Sequence, residues 1–357
     1  MKIIHTGDVH LGAAMRNLPT EKAKLRKAEI SDTFRRLTIY ARENGVGAVL
    51  IAGDLFDGND VPTSLKQEIF SFIQAAKPVA FFYVSGNHDG GLLLSDGAPE
   101  NFYVFSDARG WKSYDLQDGV TVTGIDSQYA DESCYTRLTL RPERYNILLM
   151  HGDTAYGGEK IPLAYLQNKG IDYLALGHIH IPTLTAERLD GRGHYRYCGC
   201  LEGRGFDEGG KRGFFLLEVG GGRLLDEKFL SLSKREIVQR YADISACKTY
   251  FDVERAAEEA LKTEPSGNIV KLALRGSYGV GLRKDLSLLS ERLNQRFFYV
   301  KVVDESRLAI DYRQFEGDLT ERGEFVREVG RYEMNEDLRA EILEVGLKAL
   351  CGEEIDL

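Results

Sequence analysis

Five of the seven histidines in this 357-residue chain fall in short clusters of metal-friendly residues. The clusters are Asp8-Val9-His10, Gly86-Asn87-His88-Asp89, His151-Gly152-Asp153 and Gly177-His178-Ile179-His180. A fifth cluster, Gly53-Asp54-Leu55-Phe56-Asp57, supplies carboxylates alone. Each cluster follows a short apolar run, at residues 2–6, 47–52, 78–84, 145–150 and 172–176. Imidazole is the commonest protein metal ligand, and His178 and His180, two apart in an extended segment, point to one side. A His-x-His alone is a weak signal. Five clusters in series constrain the fold strongly, because the runs that deliver them must end side by side. Strands of an open α/β sheet do this at their carboxyl ends.

The segments between the runs agree. Ile30, Phe34, Leu37 and Tyr40 fall at helical spacing, and Asn44-Gly45 supplies a stop, which predicts a helix over 29–43. A second helix is predicted over 64–76. Strand, helix, strand, helix, strand is the α/β pattern. The middle of the chain is richer in strands, at 119–125 and 145–150, then a short helix near 163–168 and a strand at 172–176. Residues 183–189, 194–198, 213–219 and 223–232 read as antiparallel strands, with Gly220-Gly221-Gly222 as a hairpin turn. A two-layer sheet sandwich with helices outside fits this order. The composition changes after Ser233. A helix at 250–262, a strand at 268–274, a helix at 283–296 and a strand at 298–303 read as a small second domain. The last forty residues carry two amphipathic stripes: Phe325, Val329 and Tyr332, then Leu338, Ile342, Leu343, Leu347 and Leu350. The expected divisions are 1–233, 234–312 and 313–357.

A hydrophobic fraction of 43% and a charged fraction of 28% are those of a soluble globular protein. No apolar run approaches the length of a membrane span. Met1-Lys2-Ile3-Ile4-His5 runs straight into a strand, which leaves no room for a cleavable signal, so a cytoplasmic location is expected. The five cysteines are odd in number and scattered, and read as reduced thiols; Cys198-Gly199-Cys200 reads as two small residues near a turn. The net charge of −9 would count against a nucleic-acid partner if it were spread evenly. It is not: residues 316–357 hold 13 acidic and 5 basic side chains, a net of −8, leaving −1 for the rest. DNA is not excluded, although no basic patch argues for it.

Two divalent ions about 3.5–4 Å apart can activate a water and clamp a phosphate for in-line attack. Such a centre needs a bridging carboxylate and neutral ligands around it. Asp54 is the natural bridge; Asp8, His10 and His180 would complete one ion, and Asn87, His151 and His178 the other. His88 reads as a catalytic group that stabilises the transition state or protonates the leaving oxygen. Asp89 is positioned to orient it. Asp57 reads as orienting His10 or capping a turn, Asp153 as holding the loop after His151, His5 as a packed core histidine, and His194 as a strand or turn residue. Arg204 and Arg212 read equally as phosphate contacts or as members of a solvated loop, and Trp111 as a core or rim residue.

These five clusters, in this order, resemble the calcineurin-like metallophosphoesterases. The resemblance covers residues 3 to about 182 and implies an α+β fold, a metallophosphoesterase β-sandwich flanked by helices, with a small α/β cap domain and C-terminal helices after it. Within that superfamily, Gly53-Asp54-Leu55-Phe56-Asp57 with Pro62-Thr63-Ser64, and Tyr197-Cys198-Gly199-Cys200-Leu201-Glu202-Gly203-Arg204, are similar to blocks of the SbcD-type DNA repair exonucleases. That likeness implies manganese-dependent 3′ to 5′ exonuclease and endonuclease action on DNA, in double-strand break or hairpin repair. It also implies a homodimer and an SMC-like coiled-coil ATPase partner of the SbcC type, held by the C-terminal helices. Two other classes compete: a phosphodiesterase or phosphatase on a small molecule or protein, which uses the same metal centre because surrounding loops choose the substrate, and a non-enzymatic scaffold that keeps the fold and would show degraded ligands.

Overall fold

A computed structural model describes residues 1–92, 94–105, 110–155, 160–279, 281–309, 315 and 317–351. The chain divides into two compact units, Met1–Glu236 and Ile237–Leu357.

The first unit is a sandwich of two six-stranded sheets. In one, β1 (Lys2–Thr6), β2 (Val46–Ala52), β3 (Ala80–Val84) and β4 (Phe102–Val104) run parallel. The other contains β5 (Lys112–Asp115), β6 (Val120–Gly124), β7 (Tyr145–His151), β8 (Tyr173–Gly177), β9 (Glu187–Arg188) and β10 (His194–Tyr197), in the order β5-β6-β7-β8-β10-β9. Its four central strands are parallel. β11 (Phe214–Gly220) and β12 (Arg223–Leu230) return to the first sheet as an antiparallel hairpin beside β1. Gly221 and Gly222 turn it with φ of 60° and 71°, the left-handed pair that a tight hairpin requires. Of the predicted strand at 183–189, only the two residues of β9 pair.

Both faces of the central strands are buried, which is why their sequences read as apolar runs and not as alternation. Ile3, Leu50, Phe82 and Val84 of the first sheet and Val122, Ile147 and Leu149 of the second form the inter-sheet core. Ile4, Val49, Ile51 and Phe81 face outward onto α1 (Thr20–Glu43) and α2 (Thr63–Ala75), meeting Phe34, Leu37, Ile69 and Ile73. Behind the second sheet, Leu148, Met150 and Leu174 pack with Tyr135 of α3 (Glu132–Arg137) and Leu166 of α4 (Leu163–Leu166). Trp111 packs against the same cluster. Burying a large aliphatic or aromatic side chain stabilises by about 1.5–3 kcal/mol, so this continuous double layer fixes the strand order.

Helix α1 starts nine residues before the predicted Glu29. Its first turns carry no apolar stripe; they are held by charge. Arg26 is fully buried and donates to Glu202, to Glu29 at 3.1 Å and to Gly203 O at 2.9 Å. Thr33 donates to Glu202 at 2.6 Å and Arg235 pairs with Glu29 at 2.6 Å. Hydrophobic periodicity is blind to such a network.

The second unit holds a parallel sheet, β13-β14-β16, of β13 (Ile237–Asp243), β14 (Ile269–Arg275) and β16 (Tyr299–Asp304). α5 (Tyr250–Ala260) and α6 (Leu286–Arg296) are its crossovers, and β15 (Ser277–Gly279) pairs with β17 (Arg307–Ala309). Strand β13 adds to the predicted helix–strand–helix–strand order; its mix of Gln239, Arg240 and Tyr241 hides it from a pattern search. α7 (Glu321–Gly330) and α8 (Glu336–Cys351) follow. Their predicted stripes are partly used on each other: Val326, Val329, Leu343 and Leu347 are buried in one cluster with Phe315. Leu319, Tyr332, Leu338 and Leu350 remain exposed. The expected division at 312/313, and residues 352–357 of the tail, lie outside the described residues. No helix among the described residues is long and apolar enough to cross a membrane.

Candidate metal centre

The parallel strands of both sheets release their clusters toward one place. Asp8 and His10 follow β1, Asp54 follows β2, and Asn87 and His88 follow β3; these belong to the first sheet. His151 ends β7, and His178 and His180 follow β8, in the second. The loops are tightly wound: Asp8, His10, Asp54 and His178 have φ of 47°, 49°, 48° and 97°. Non-glycine residues adopt that left-handed region at a cost, and such strain collects at functional sites. The second sheet can approach because residue 177 is glycine. A Cβ there would lie 1.8 Å from Ala52 O.

The side chains meet as two groups. Asp8, His10 and His180 offer ligand atoms within 4.8 Å of one another. Asn87 Oδ1 lies 2.9 Å from His151 Nε2 and 3.2 Å from His178 Nδ1. Asp54 stands between the groups, its Oδ2 3.6 Å from His10 Nε2 and also 3.6 Å from His151 Nε2. Its other oxygen accepts the His88 backbone N–H at 2.9 Å. Asp8 accepts the His178 backbone N–H at 2.9 Å, tying the two sheets together.

Hydrogen bonds fix which imidazole nitrogens are bare. His10 Nδ1 donates to Asp57 Oδ1 at 3.1 Å, and His180 Nδ1 donates to Glu208 Oε1 at 2.7 Å. Their Nε2 atoms then face each other at 3.2 Å with lone pairs and no proton between them. Two ligands on one ion at about 2.1 Å lie roughly 3.0–3.4 Å apart, so this spacing fits a shared cation. His151 repeats the arrangement: Nδ1 donates to Ala52 O at 2.9 Å, leaving Nε2 bare toward Asn87. Burial lowers the His10 pKa and brings that of His151 down to about 4, so both rings are neutral, as a ligand must be, at neutral pH. Burial also pushes the Asp8 carboxyl well above its usual range. A divalent cation would relieve that. The donor set therefore fits the ions that the clusters predict.

His88 lies at the edge of the first group, where it, His10 and Asp57 offer ligand atoms within 4.8 Å of one another. Its side chain is 44% exposed, and its Nδ1 lies 3.2 Å from Asp57 Oδ1. The expected partner, Asp89, is fully buried, and its carboxylate accepts instead from Gly86 N at 2.8 Å and Phe56 N at 3.1 Å. Burial raises its pKa to about 6. Asp89 therefore braces the loop that presents Asn87 and His88, and Asp57 is the carboxylate beside the His88 ring. Asp57 serves His10 as well, and its hydrogen bond from His10 holds its pKa below the usual carboxylate range against a smaller burial effect.

Glu208 was not predicted. It sits in a Gly-rich loop with no periodicity, and the one clue is an acid among glycines. Burial alone would push its carboxyl up, but the hydrogen bond from His180 and the charge of Arg204 together hold it well below the usual range. Arg204 donates to Glu208 at 2.8 Å and approaches Asp57 at 3.7 Å, so it borders the site. Arg212 is buried and bonds the carbonyls of Glu208 and Gly209 at 3.1 and 2.7 Å, a brace within the loop. His5 is buried between the sheets against Tyr173, and His194 lies on β10 beside Glu227. Asp153 accepts the Ala155 N–H at 2.6 Å in its own loop. Cys134, Cys198, Cys200 and Cys247 are free thiols.

The sequence profile of the calcineurin-like phosphoesterases matches residues 1–182. The chain is 28% identical over 309 residues to a DNA double-strand break repair protein Mre11 of Methanopyrus kandleri, covering 77% of this chain and 65% of that protein. It thus spans slightly less than two thirds of that relative's length. It is 29% identical over 306 residues to an uncharacterized metallophosphoesterase YhaO of Bacillus subtilis, with 78% and 69% covered. To an Mre11 of Sulfolobus acidocaldarius it is 26% identical over 308 residues, with 80% and 77% covered. Each match takes in more of the chain than the 236 residues of the first unit.

Proposed function

The chain belongs to the calcineurin-like phosphoesterase family, a family of metal-dependent phosphoester hydrolases, and from that premise we propose that it is a two-metal nuclease acting on DNA. The observation that carries the metal-centre assignment is the pair of bare Nε2 atoms, His10 against His180, beside an Asp54 oxygen shared with His151. In this reading Asp8, His10 and His180 would hold one ion and Asn87, His151 and His178 the other, with the Asp54 carboxylate available to both. The all N/O donor set suits Mn²⁺. Two divalent ions bound there would polarise a phosphoryl oxygen and lower the pKa of a water for in-line attack.

The protein's own work falls to His88. Its Nδ1 lies 3.2 Å from Asp57 Oδ1 and its side chain is 44% exposed, open to an incoming ester. An exposed imidazole there can donate a hydrogen bond to a phosphoryl oxygen or a proton to the departing 3′ or 5′ oxygen. Asp89 keeps the loop in place.

The choice of DNA rests on likeness: two of the three relatives described bear the name of a DNA double-strand break repair protein, and their similarity reaches into the second unit. The likeness to SbcD-type nucleases supports a homodimer, a cytoplasmic setting, and an SMC-like coiled-coil ATPase as partner. On this chain the exposed Leu319, Tyr332, Leu338 and Leu350, set among acidic residues of the tail, are the side chains such a partner would cover. Residues 234–312 then serve as the cap.

The test is hydrolysis of end-labelled single- and double-stranded DNA with Mn²⁺, beside an aryl phosphodiester, with EDTA and His88→Ala as controls. Nucleotide release that vanishes in both controls is expected. Turnover of the aryl ester alone, persisting with the ATPase added, would overturn the DNA assignment.

A further inference from the structure

The loop after β10 returns to the metal centre and places one buried acid behind one ligand. The Glu208 side chain is 6% exposed. Its Oε1 accepts from His180 Nδ1 at 2.7 Å and from Arg204 Nη2 at 2.8 Å, and its Oε2 accepts the Arg204 backbone N–H at 2.7 Å. The loop is closed by Glu208 N–H on Gly205 O at 3.0 Å and by Arg212 on the Glu208 carbonyl. Glu208 is therefore held from both of its oxygens and from its own backbone. It is not a surface acid lying near a histidine by chance.

A carboxylate only accepts, so the His180 proton must sit on Nδ1 and Nε2 must be bare. Arg204 Nη2 lies 3.1 Å from the same Nδ1, but that nitrogen has no lone pair to offer, and the guanidinium proton goes to Glu208. The two groups of candidate ligands are backed differently. His10 and His180 each lean on a carboxylate, Asp57 and Glu208; His151 leans on a neutral carbonyl, Ala52 O. A carboxylate behind an imidazole raises its basicity and fixes its orientation.

We propose that Glu208 is a positioning residue that sets the metal affinity of the Asp8–His10–His180 position and leaves the Asn87–His151–His178 position untouched. Arg204 is its counter-ion, keeping the acid charged in a buried setting. The inference rests on the assignment of these histidines as ligands.

The experiment uses the full chain stripped with EDTA and titrated with Mn²⁺, by calorimetry and by electron paramagnetic resonance, for wild type, His180→Ala and Glu208→Gln. Expected are two ions in wild type, loss of one in His180→Ala, and in Glu208→Gln a weakening of one site by about 10–100-fold with the other unchanged. The spin-coupled pair signal should then give way to that of a single ion at low Mn²⁺. Two wild-type affinities in Glu208→Gln, with His180→Ala still losing one ion, would overturn the inference alone. Two ions retained in His180→Ala, or none in wild type, would overturn the ligand assignment itself. A second measurement does not depend on how Glu208→Gln folds. Imidazole ¹⁵N spectra of metal-free wild type should show His180 protonated on Nδ1; the Nε2–H tautomer there would refute the role of Glu208.

Discussion

Partners, more than exposure, separate the roles of neighbouring residues at the centre. Asp8, His10, Asp54 and His151 are buried, His178 and His180 are half-buried, and Asn87 is exposed like His88. Asn87 Oδ1 lies against His151 and His178, whereas the His88 ring lies against Asp57 and outside the seven candidate ligands. His88→Asn is therefore expected to bind two Mn²⁺ with wild-type affinity while turnover drops about 10²–10⁴-fold. Calorimetry beside steady-state rates checks it, and a parallel loss of metal would show His88 to be a ligand. A second residue prediction concerns His5, away from the centre. Burial lowers its pKa from 6.5 to about 3, where Tyr173 O–H donates to Nδ1 at 2.9 Å and Nε2 donates to Leu176 O at 3.2 Å. Above pH 6.5 both folded and unfolded chains leave this histidine neutral. Below it the unfolded chain takes up a proton that the folded chain refuses until about pH 3. Stability should thus fall with acid across that window, by up to about 1.4 kcal/mol per pH unit from this group. Urea unfolding of His5→Gln in EDTA should show a shallower pH slope between 4 and 6; an unchanged slope would remove His5 from the account.

The carboxyl ends of the strands are where elements must meet closely. Gly177 ends β8 with space for no side chain, since a Cβ would strike Ala52 O, the same carbonyl that fixes the His151 tautomer. Gly177→Ala should cost about 1–3 kcal/mol and weaken Mn²⁺ binding, read by urea midpoints and titration. Gly191→Ala, where a Cβ meets nothing within 4 Å among the described residues, is the control; equal effects in both would refute the packing argument. The same strand ends explain what the sequence made legible. Short apolar runs, each followed by ligand residues, report a sheet buried on both faces and a site at its rim, so the sandwich and the meeting of the seven candidate ligands with His88 could be read directly. Three things could not. The first turns of α1 depend on Arg26 and Glu202, 176 residues apart, and ion pairs carry no period. Strand β13 has too polar an outer face to stand out. Glu208 reaches His180 only because a Gly-rich loop folds back, a path that spacing does not encode. Asp89 illustrates the reverse: adjacency to His88 suggested a dyad, but the tight loop turns its carboxylate onto Gly86 and Phe56.

At the scale of the molecule, the candidate ligands, His88, Asp57 and Glu208 all lie within Met1–Glu236, which has its own core. A fragment ending at Glu236 should fold, bind two Mn²⁺ and hydrolyse an aryl phosphodiester at a rate within a few fold of the full chain, while losing activity on DNA. A fragment that melts cooperatively yet binds no metal would mean that the second unit completes the centre. The first unit also has a seam. Asp8, His10, Asp54 and Asn87 come from one sheet and His151, His178 and His180 from the other, so an ion held by both closes the sandwich at its rim as a clasp closes a book. Binding that favours the folded state adds about 2.7 kcal/mol at a free ion concentration one hundred times Kd. Chelation should lower the unfolding midpoint accordingly, and the same cation that enables turnover would govern how long the two leaves stay shut. For a protein built this way, scarcity of the divalent cation would be felt first as a less stable folded chain and only then as a slower reaction.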